Sequence, residues 1–337
     1  MSSVERRSSA VSMRLADVFS QGHSPARVPQ VDAEPCITIL LGTLNGARFL
    51  PAQLASLERQ THKNWRLIVS DDQSTDATVA IVKGFSRRVS QIVEIRAGPG
   101  AGPCANFLSL ACDPSVDGAY FAFCDQDDIW HPDKLARALA WVRAVDAKRP
   151  AIYGSRTHLI CASGRTLGHS ALYSKAPSFG NALVQNIAGA NTMVFNRATK
   201  ALFEASGCRE LVAHDWWAYQ LVTGGGGVVH YDPIPLIDYR QHDGNRIGSN
   251  RGWRAQLKRL RILFKGGYVA WNEANFAALN RARHLLTQDS GAVLDAFEVM
   301  RTGGFWARLC AFFASPVRRQ TQLGNIALLV ATVLRKV

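Results

Sequence analysis

Ala119-Tyr120-Phe121-Ala122-Phe123-Cys124-Asp125-Gln126-Asp127-Asp128 carries the weight of this sequence: an apolar run that ends in three carboxylates within four positions. The apolar half reads as a short strand buried on both faces. Carboxylates crowded at the end of such a strand repel one another, and burial raises their pKa values. A fold tolerates them most readily around a cation. The plainer alternative is a solvated acidic turn that caps the helix starting near Pro132. A second acidic turn, Asp71-Asp72-Gln73-Ser74-Thr75-Asp76, follows the run Leu67-Ile68-Val69-Ser70. Two such turns together point to a metal–diphosphate site.

The pattern around these turns alternates between strand and helix. Cys36–Leu41 is nearly all apolar, and Phe49, Leu50, Leu54 and Leu57 then recur at helical spacing up to Gln60. Trp65–Ser70, Gln91–Arg96 and Ala119–Cys124 read as further strands. Helices are predicted from Asp76 to Phe85, from Pro103 to Ala111 and from Pro132 to Ala147. This is an α/β arrangement with a mainly parallel central sheet and helices on both faces. Ligands in such sheets sit at the carboxyl ends of the strands, where both acidic turns lie. There is no G-x-G-x-x-G and no G-x-x-x-x-G-K-[ST], so neither fingerprint accounts for the site. Beyond Pro150 the pattern is mixed, with strands expected near Ile152–Ile160, Thr192–Phe195 and Gly227–Tyr231. Short helices are expected at Arg197–Ala205 and Trp216–Thr223, and the four glycines from Gly224 to Gly227 read as a helix-to-strand turn. After Arg251 the chain reads as helical to its end.

Composition bounds the class. At 337 residues and 47% apolar content the chain can bury a sizeable core. Seven cysteines without a C-x-x-C pair suit a reduced, intracellular protein. Residues 1–34 are Ser-, Arg- and Pro-rich and read as a tail, with Met13–Phe19 at most a short helix. No apolar stretch approaches the ~20 residues of a membrane span. The formal charge is +13, and from Arg251 onward 14 Lys/Arg face 4 Asp/Glu, a net of +10. That excess calls for an anionic partner. The division is then a tail (1–34), a catalytic domain (35–250) and a basic amphipathic helical region (251–337).

Several stretches in order resemble the inverting GT-A glycosyltransferases of family 2, above all the bacterial rhamnosyltransferase-like members that build surface polysaccharides. They are Thr43–Gly46, Ser70–Asp76, Asn106-Phe107, Phe123–Trp130, Pro132–Lys134, His214–Trp217 and Tyr239–His242. The resemblance implies a GT-A (nucleotide-diphospho-sugar transferase) fold and a nucleotide-sugar donor, with dTDP-rhamnose the first choice. It also implies a glycan or lipid-linked acceptor and a divalent cation, Mn²⁺ or Mg²⁺. By the same resemblance Asp125 and Asp127 form the metal motif, with Asp127 the direct ligand, and His242 completes the metal or diphosphate site. A histidine ligand favours Mn²⁺. Asp71 or Asp72 accepts the imide N–H of the base, Thr43 and Asn45 line the same pocket, and Asp215 is the general base. Asp76 caps its helix, Asp128 caps a helix or orients a water, and Ala188–Asn191 contributes to an acceptor loop. Two departures stand out: Gln73 where many relatives have Gly, and His214 where many have Glu.

Two other functions share parts of this pattern. A catalytically silent glycan-binding scaffold would not need intact Asp125, Asp127 and Asp215. A sugar nucleotidyltransferase would show a basic Gly-rich loop near its start, which Thr43–Gly46 is not. The tail region interleaves cations with apolar residues over Arg251–Lys265, and Gly304–Ala314 and Ile326–Leu334 add short apolar faces. Basic amphipathic helices of this kind can lie in a membrane interface; the alternative is that they pack on the catalytic domain or form an oligomer contact. The interface reading places the enzyme in the cytoplasm, on the inner face of the cytoplasmic membrane, and argues against a nucleic-acid partner.

Overall fold

Strand β1 (Ile37–Thr43) is the axis on which the site is built. It pairs in parallel with β2 (Trp65–Asp71), in a register that sets Ile37 opposite Trp65 and Thr43 opposite Asp71. On its other side it pairs in parallel with β4 (Tyr120–Cys124), with Leu41 opposite Cys124. Both acidic turns therefore leave the sheet at the same end, next to the loop that follows β1. The computed structural model describes residues 34–207, 211–242 and 267–337. The tail through residue 33, with the short helix considered at 13–19, and the basic segment 251–265 lie outside the described residues.

The large sheet continues outward with β3 (Val93–Ala97) beside β2. On the other flank come β9 (Val194–Asn196), β6 (Ala151–Ser155) and β10 (Val228–Asp232). Only β9 runs against its neighbours, antiparallel to both β4 and β6. Alternation along the inner strands sorts side chains between two cores. Ile39, Leu41, Val69 and Ala122 face one side, with Leu54 of α1 (Leu50–Glu58) and Leu135 of α4 (Lys134–Val142). Leu40, Ile68, Phe121 and Phe123 face the other, with Phe107 of α3 (Pro103–Ala111), Phe203 of α6 (Arg197–Ser206) and Trp217 of α7 (His214–Gly224). Burial on both faces is why these strands are apolar throughout, and each such Leu or Phe contributes roughly 1.5–3 kcal/mol. The helix α2 (Thr78–Ser86) follows the first acidic turn.

The single strand expected over 152–160 is two. β6 ends at Ser155, and β7 (His158–Cys161) belongs to a second, four-stranded sheet with β5 (Ile129–Trp130), β8 (Thr166–His169) and β11 (Ile237–Gln241). The chain crosses between sheets at Arg156 and Thr157, whose N–H groups bond to the Asp232 carbonyl and to Ser170 Oγ instead of continuing a ladder. The helix from 132 is shorter than expected, and α7 starts two residues before the predicted Trp216.

Four helices close the chain: α8 (Gly267–Arg281), α9 (Gln288–Thr302), α10 (Phe305–Ala314) and α11 (Gln322–Val333). Phe276, Leu279, Leu294, Phe297, Met300 and Leu328 from these helices join the same core as Phe121 and Phe123. Among the described residues no helix is long and apolar enough to cross a membrane. The six described cysteines are free thiols.

Candidate functional site

The first acidic turn is held by the residues around it. Asp71 Oδ1 accepts from Thr43 Oγ1 at 2.8 Å and from Ser74 Oγ at 2.6 Å, while Asp71 Oδ2 accepts the Ser74 N–H at 2.9 Å. Asp72 is 5% exposed and takes the Gly100 and Gly102 amides on its two oxygens, at 2.6 and 2.9 Å. Asp76 accepts the Thr78 N–H at 2.9 Å and the Ala47 N–H at 3.1 Å, so it caps α2 and ties the first loop to it. Asn45 Oδ1 accepts the Thr75 N–H at 2.8 Å. Asn45 and Gln73 both hold positive φ, 47° and 72°. Gln73 thus adopts a left-handed turn that favours glycine, at a cost of about 1 kcal/mol.

The second acidic loop is pinned through Gln126 to the loop that follows β1. Its Oε1 accepts the Leu44 N–H and its Nε2 donates to the Leu44 carbonyl, both at 2.9 Å. A Cβ on Gly46 would lie 2.2 Å from Gln126 Oε1, so the glycine leaves room for the pin. Asp127 Oδ2 meets His242 Nε2 at 2.7 Å, which brings the end of β11 to the acidic loop. Arg240 Nε donates to the Asp127 carbonyl at 2.9 Å, and its guanidinium lies 4.9 Å from the Phe49 ring centre. Asp128 faces inward. Fully buried, it accepts from the Asn191 side-chain amide and, at 3.1 Å, from the Arg240 N–H. It neither caps a helix nor meets solvent, and Asn191 serves as its partner.

Asp215 lies in the first turn of α7 and accepts the Trp216 N–H at 2.7 Å. The Ala190 backbone and the Asn186 side chain also bond to it. Burial nonetheless lifts its carboxyl to about 6. Burial, reinforced by the charges of Asp127 and Asp215, pushes Asp125 up to about 8. Burial together with Asp127 and Asp125 holds Asp128 well above the carboxylate range. Asp125, Asp127 and Asp215 therefore share one electrostatic neighbourhood at the carboxyl end of β4. His214 stacks on Phe107 with ring centres 4.3 Å apart, its Nε2 finds no hydrogen-bond partner among the described residues, and burial drops its pKa to about 3. A neutral, aromatic-packed histidine thus directly precedes Asp215. Trp216 and Trp217 are buried, and Trp216 Nε1 donates to the Ala182 carbonyl at 2.6 Å. Both belong to the core.

Mutually repelling, partly desolvated carboxylates are the donor set a divalent cation relieves. No three His, Cys, Asp or Glu among the described residues already enclose an ion position. A small hard cation on a diphosphate needs no such cage, since one or two carboxylates with phosphate and water oxygens suffice. Asp125 and Asp127, with His242 beside Asp127, fit that role. Sequence reasoning missed Gln126 and Arg240 as the groups that hold this loop.

Residues 38–202 match the family model described as Glycosyl transferase family 2. The dTDP-rhamnosyl transferase RfbG of Shigella flexneri is 28% identical over 234 residues, 66% of this chain and 78% of that protein. The putative teichuronic acid biosynthesis glycosyltransferase TuaG of Bacillus subtilis is 25% identical over 227 residues, 67% of this chain and 86% of its own length. Among solved structures, S. aureus TarS 1-349 in complex with UDP-GlcNAc superposes with a TM-score of 0.50 at 16% identity. It covers 89% of this chain and 88% of the TarS 1-349 chain, a likeness of fold. Strand-end carboxylates on a mainly parallel sheet, the family match and these relatives agree: the chain belongs to glycosyl transferase family 2 and is a glycosyltransferase of the GT-A fold.

Proposed function

We propose that this enzyme transfers a sugar, rhamnose from dTDP-rhamnose, with inversion onto a growing cell-surface glycan or lipid-linked acceptor in a divalent-metal-dependent reaction. The observation that carries the proposal is the shared neighbourhood of Asp125, Asp127 and Asp215 at one sheet end. The likeness to a dTDP-rhamnosyl transferase supports the donor. A bound Mn²⁺ or Mg²⁺ would neutralise charge on the departing diphosphate. Asp125, Asp127 and His242 would hold it. Asp71 or Asp72 accepts the imide N–H of the base; Asp71 Oδ2 and both Asp72 oxygens each accept one bond from the protein and keep a second lone pair for it. Thr43 keeps Asp71 oriented, and Asn45 shapes the turn beside it.

Asp215 removes the proton from the acceptor hydroxyl as that oxygen attacks the sugar carbon opposite the diphosphate. A carboxyl near 6 is ionised at neutral pH yet basic enough to accept the proton. A lipid-linked acceptor would place the enzyme at the inner face of the cytoplasmic membrane. A panel of nucleotide sugars assayed for nucleoside diphosphate release, with Mn²⁺, with Mg²⁺ and after chelation, tests the whole assignment. dTDP-rhamnose should be turned over fastest and chelation should stop it. Undiminished release in a chelator would refute the metal, and a faster UDP- or GDP-sugar would refute the donor.

A further inference from the structure

Phe305–Val337 contains five Lys or Arg and no Asp or Glu. Helices α10 and α11 pack on each other, and their inner sides are buried through Arg308 and through Leu328, Ala331 and Thr332. Their outer sides are apolar and face water. Trp306 is 75% and Phe313 73% exposed on α10, and Leu323 is 80% exposed on α11 with Ile326, Val330 and Leu334 behind it. Positions 323, 326, 330 and 334 repeat at helical spacing, so they form one stripe. A surface helix normally turns such a stripe inward. Single exposed apolar side chains are ordinary, but a run of them along two adjoining helices marks a contact surface.

We propose that this outward face of α10 and α11 docks on an anionic lipid surface, an inference that rests on the glycosyl-transfer reading for its purpose. At ten and twelve residues the helices fall short of the ~20 needed to span a bilayer, so they lie in its interface. Charge selects the occupant. A second copy of the chain would meet this face symmetrically and set two acid-free clusters of cations against each other. An anionic leaflet meets the same cations favourably, and Arg318 and Arg335, both exposed, stand before and after α11.

The face is also tied to the catalytic side of the molecule. Asn181 Nδ2 donates to the Arg318 carbonyl at 2.9 Å, Arg319 Nη1 to the Val184 carbonyl at 2.9 Å, and the Gln320 N–H to Gln185 Oε1 at 3.0 Å. Asn181 belongs to the short helix α5 (Phe179–Ala182), and its Oδ1 accepts from Tyr219 of α7 at 3.0 Å. Helix α7 begins with His214 and Asp215. A docked α10–α11 pair would thus hold the general base at a fixed distance from the leaflet that carries a lipid-linked acceptor.

Flotation of the full chain on vesicles of phosphatidylcholine and phosphatidylglycerol (three to one), and on phosphatidylcholine alone, tests this. Lipid-free sedimentation velocity and nucleoside diphosphate release are measured alongside. The variant Trp306→Ser/Phe313→Ser/Leu323→Ser/Ile326→Ser should lose vesicle binding about tenfold or more while keeping release without lipid. Arg318→Gln/Arg335→Gln, which leaves the apolar stripe intact, should lose several-fold on the anionic vesicles only. Binding of both variants equal to wild type, or no wild-type binding to anionic vesicles, would overturn the docking surface. So would a lipid-free dimer that the serine variant splits, since the occupant is then a second copy. Absent turnover with every donor counts against the transfer reading alone and leaves flotation to decide the surface.

Discussion

Asp215→Asn tests the proposed general base apart from the rest of the site. Asparagine keeps the shape and still accepts the Trp216 N–H, but it cannot take a proton. A positioned general base contributes about 10²- to 10⁴-fold, so kcat for transfer should fall by that factor, about 3–5 kcal/mol of barrier. The donor KM should stay within about twofold, because Asp215 acts on the acceptor side. The wild-type enzyme also carries a pH signature. With its carboxyl near 6, Asp215 is about 90% ionised at pH 7 and about 10% at pH 5, so the rate should rise close to tenfold between them. A cation beside Asp125 lowers that value further, which makes 6 the upper limit for the inflection. Initial rates of nucleoside diphosphate release at saturating acceptor, from pH 5 to 8, read both effects. More than about a tenth of wild-type transfer in the Asn variant would show that another group takes the proton. An acidic limb that survives unchanged in the variant would do the same.

Asp127→Ala should remove metal-dependent turnover more than about 100-fold with little change in the urea midpoint, whereas Asp128→Asn should cost about 1–3 kcal/mol of stability, because it sets an amide against the donors Asn191 and Arg240. Equal midpoints for the two variants would contradict that division. Gln126→Ala removes both bonds to Leu44 and should lower stability by about 1–2 kcal/mol and raise the donor KM; an unchanged KM would mean the loop holds without its pin. Arg308 is 5% exposed, with Nε and Nη1 lacking partners among the described residues, so Arg308→Met should raise the urea midpoint by the equivalent of about 1–2 kcal/mol, and a fall would show that the charge is compensated. His131 bonds to Asp238 at 2.9 Å, which raises its pKa in the folded state. Its added stability is then complete below the ordinary histidine value and fades as pH rises through the raised one, so His131→Gln should destabilise more at pH 5.5 than at pH 8.5; equal losses in urea melts at the two pH values would remove the charge from the account.

The alternation from β1 to α4 was legible because the inner strands β1, β2 and β4 are largely apolar on both faces, the edge strand β3 alternates, and each turn is polar. That pattern alone puts both acidic turns at one sheet end. The second sheet was not legible. Strand β11 carries Asp238, Arg240 and Gln241 among its five residues, and β8 is mostly exposed, so neither shows an apolar run. The start of α7 was hidden as well, since Ala213 precedes it without a capping side chain. Gln126 and Asn191 act through partners 82 and 63 residues away, Leu44 and Asp128. No local pattern marks a residue whose role is to join two loops that only the fold brings together.

The last four helices share a core with Phe121 and Phe123 of the strand that leads to Asp125. Modularity is therefore restricted. Exchanging this tail for another sequence would change the packing behind the acidic loop that follows β4 as well as the outer surface of the tail. A graft would then succeed only where tail and strand travel together, so the surface the tail presents and the order of the acidic loop change as one trait.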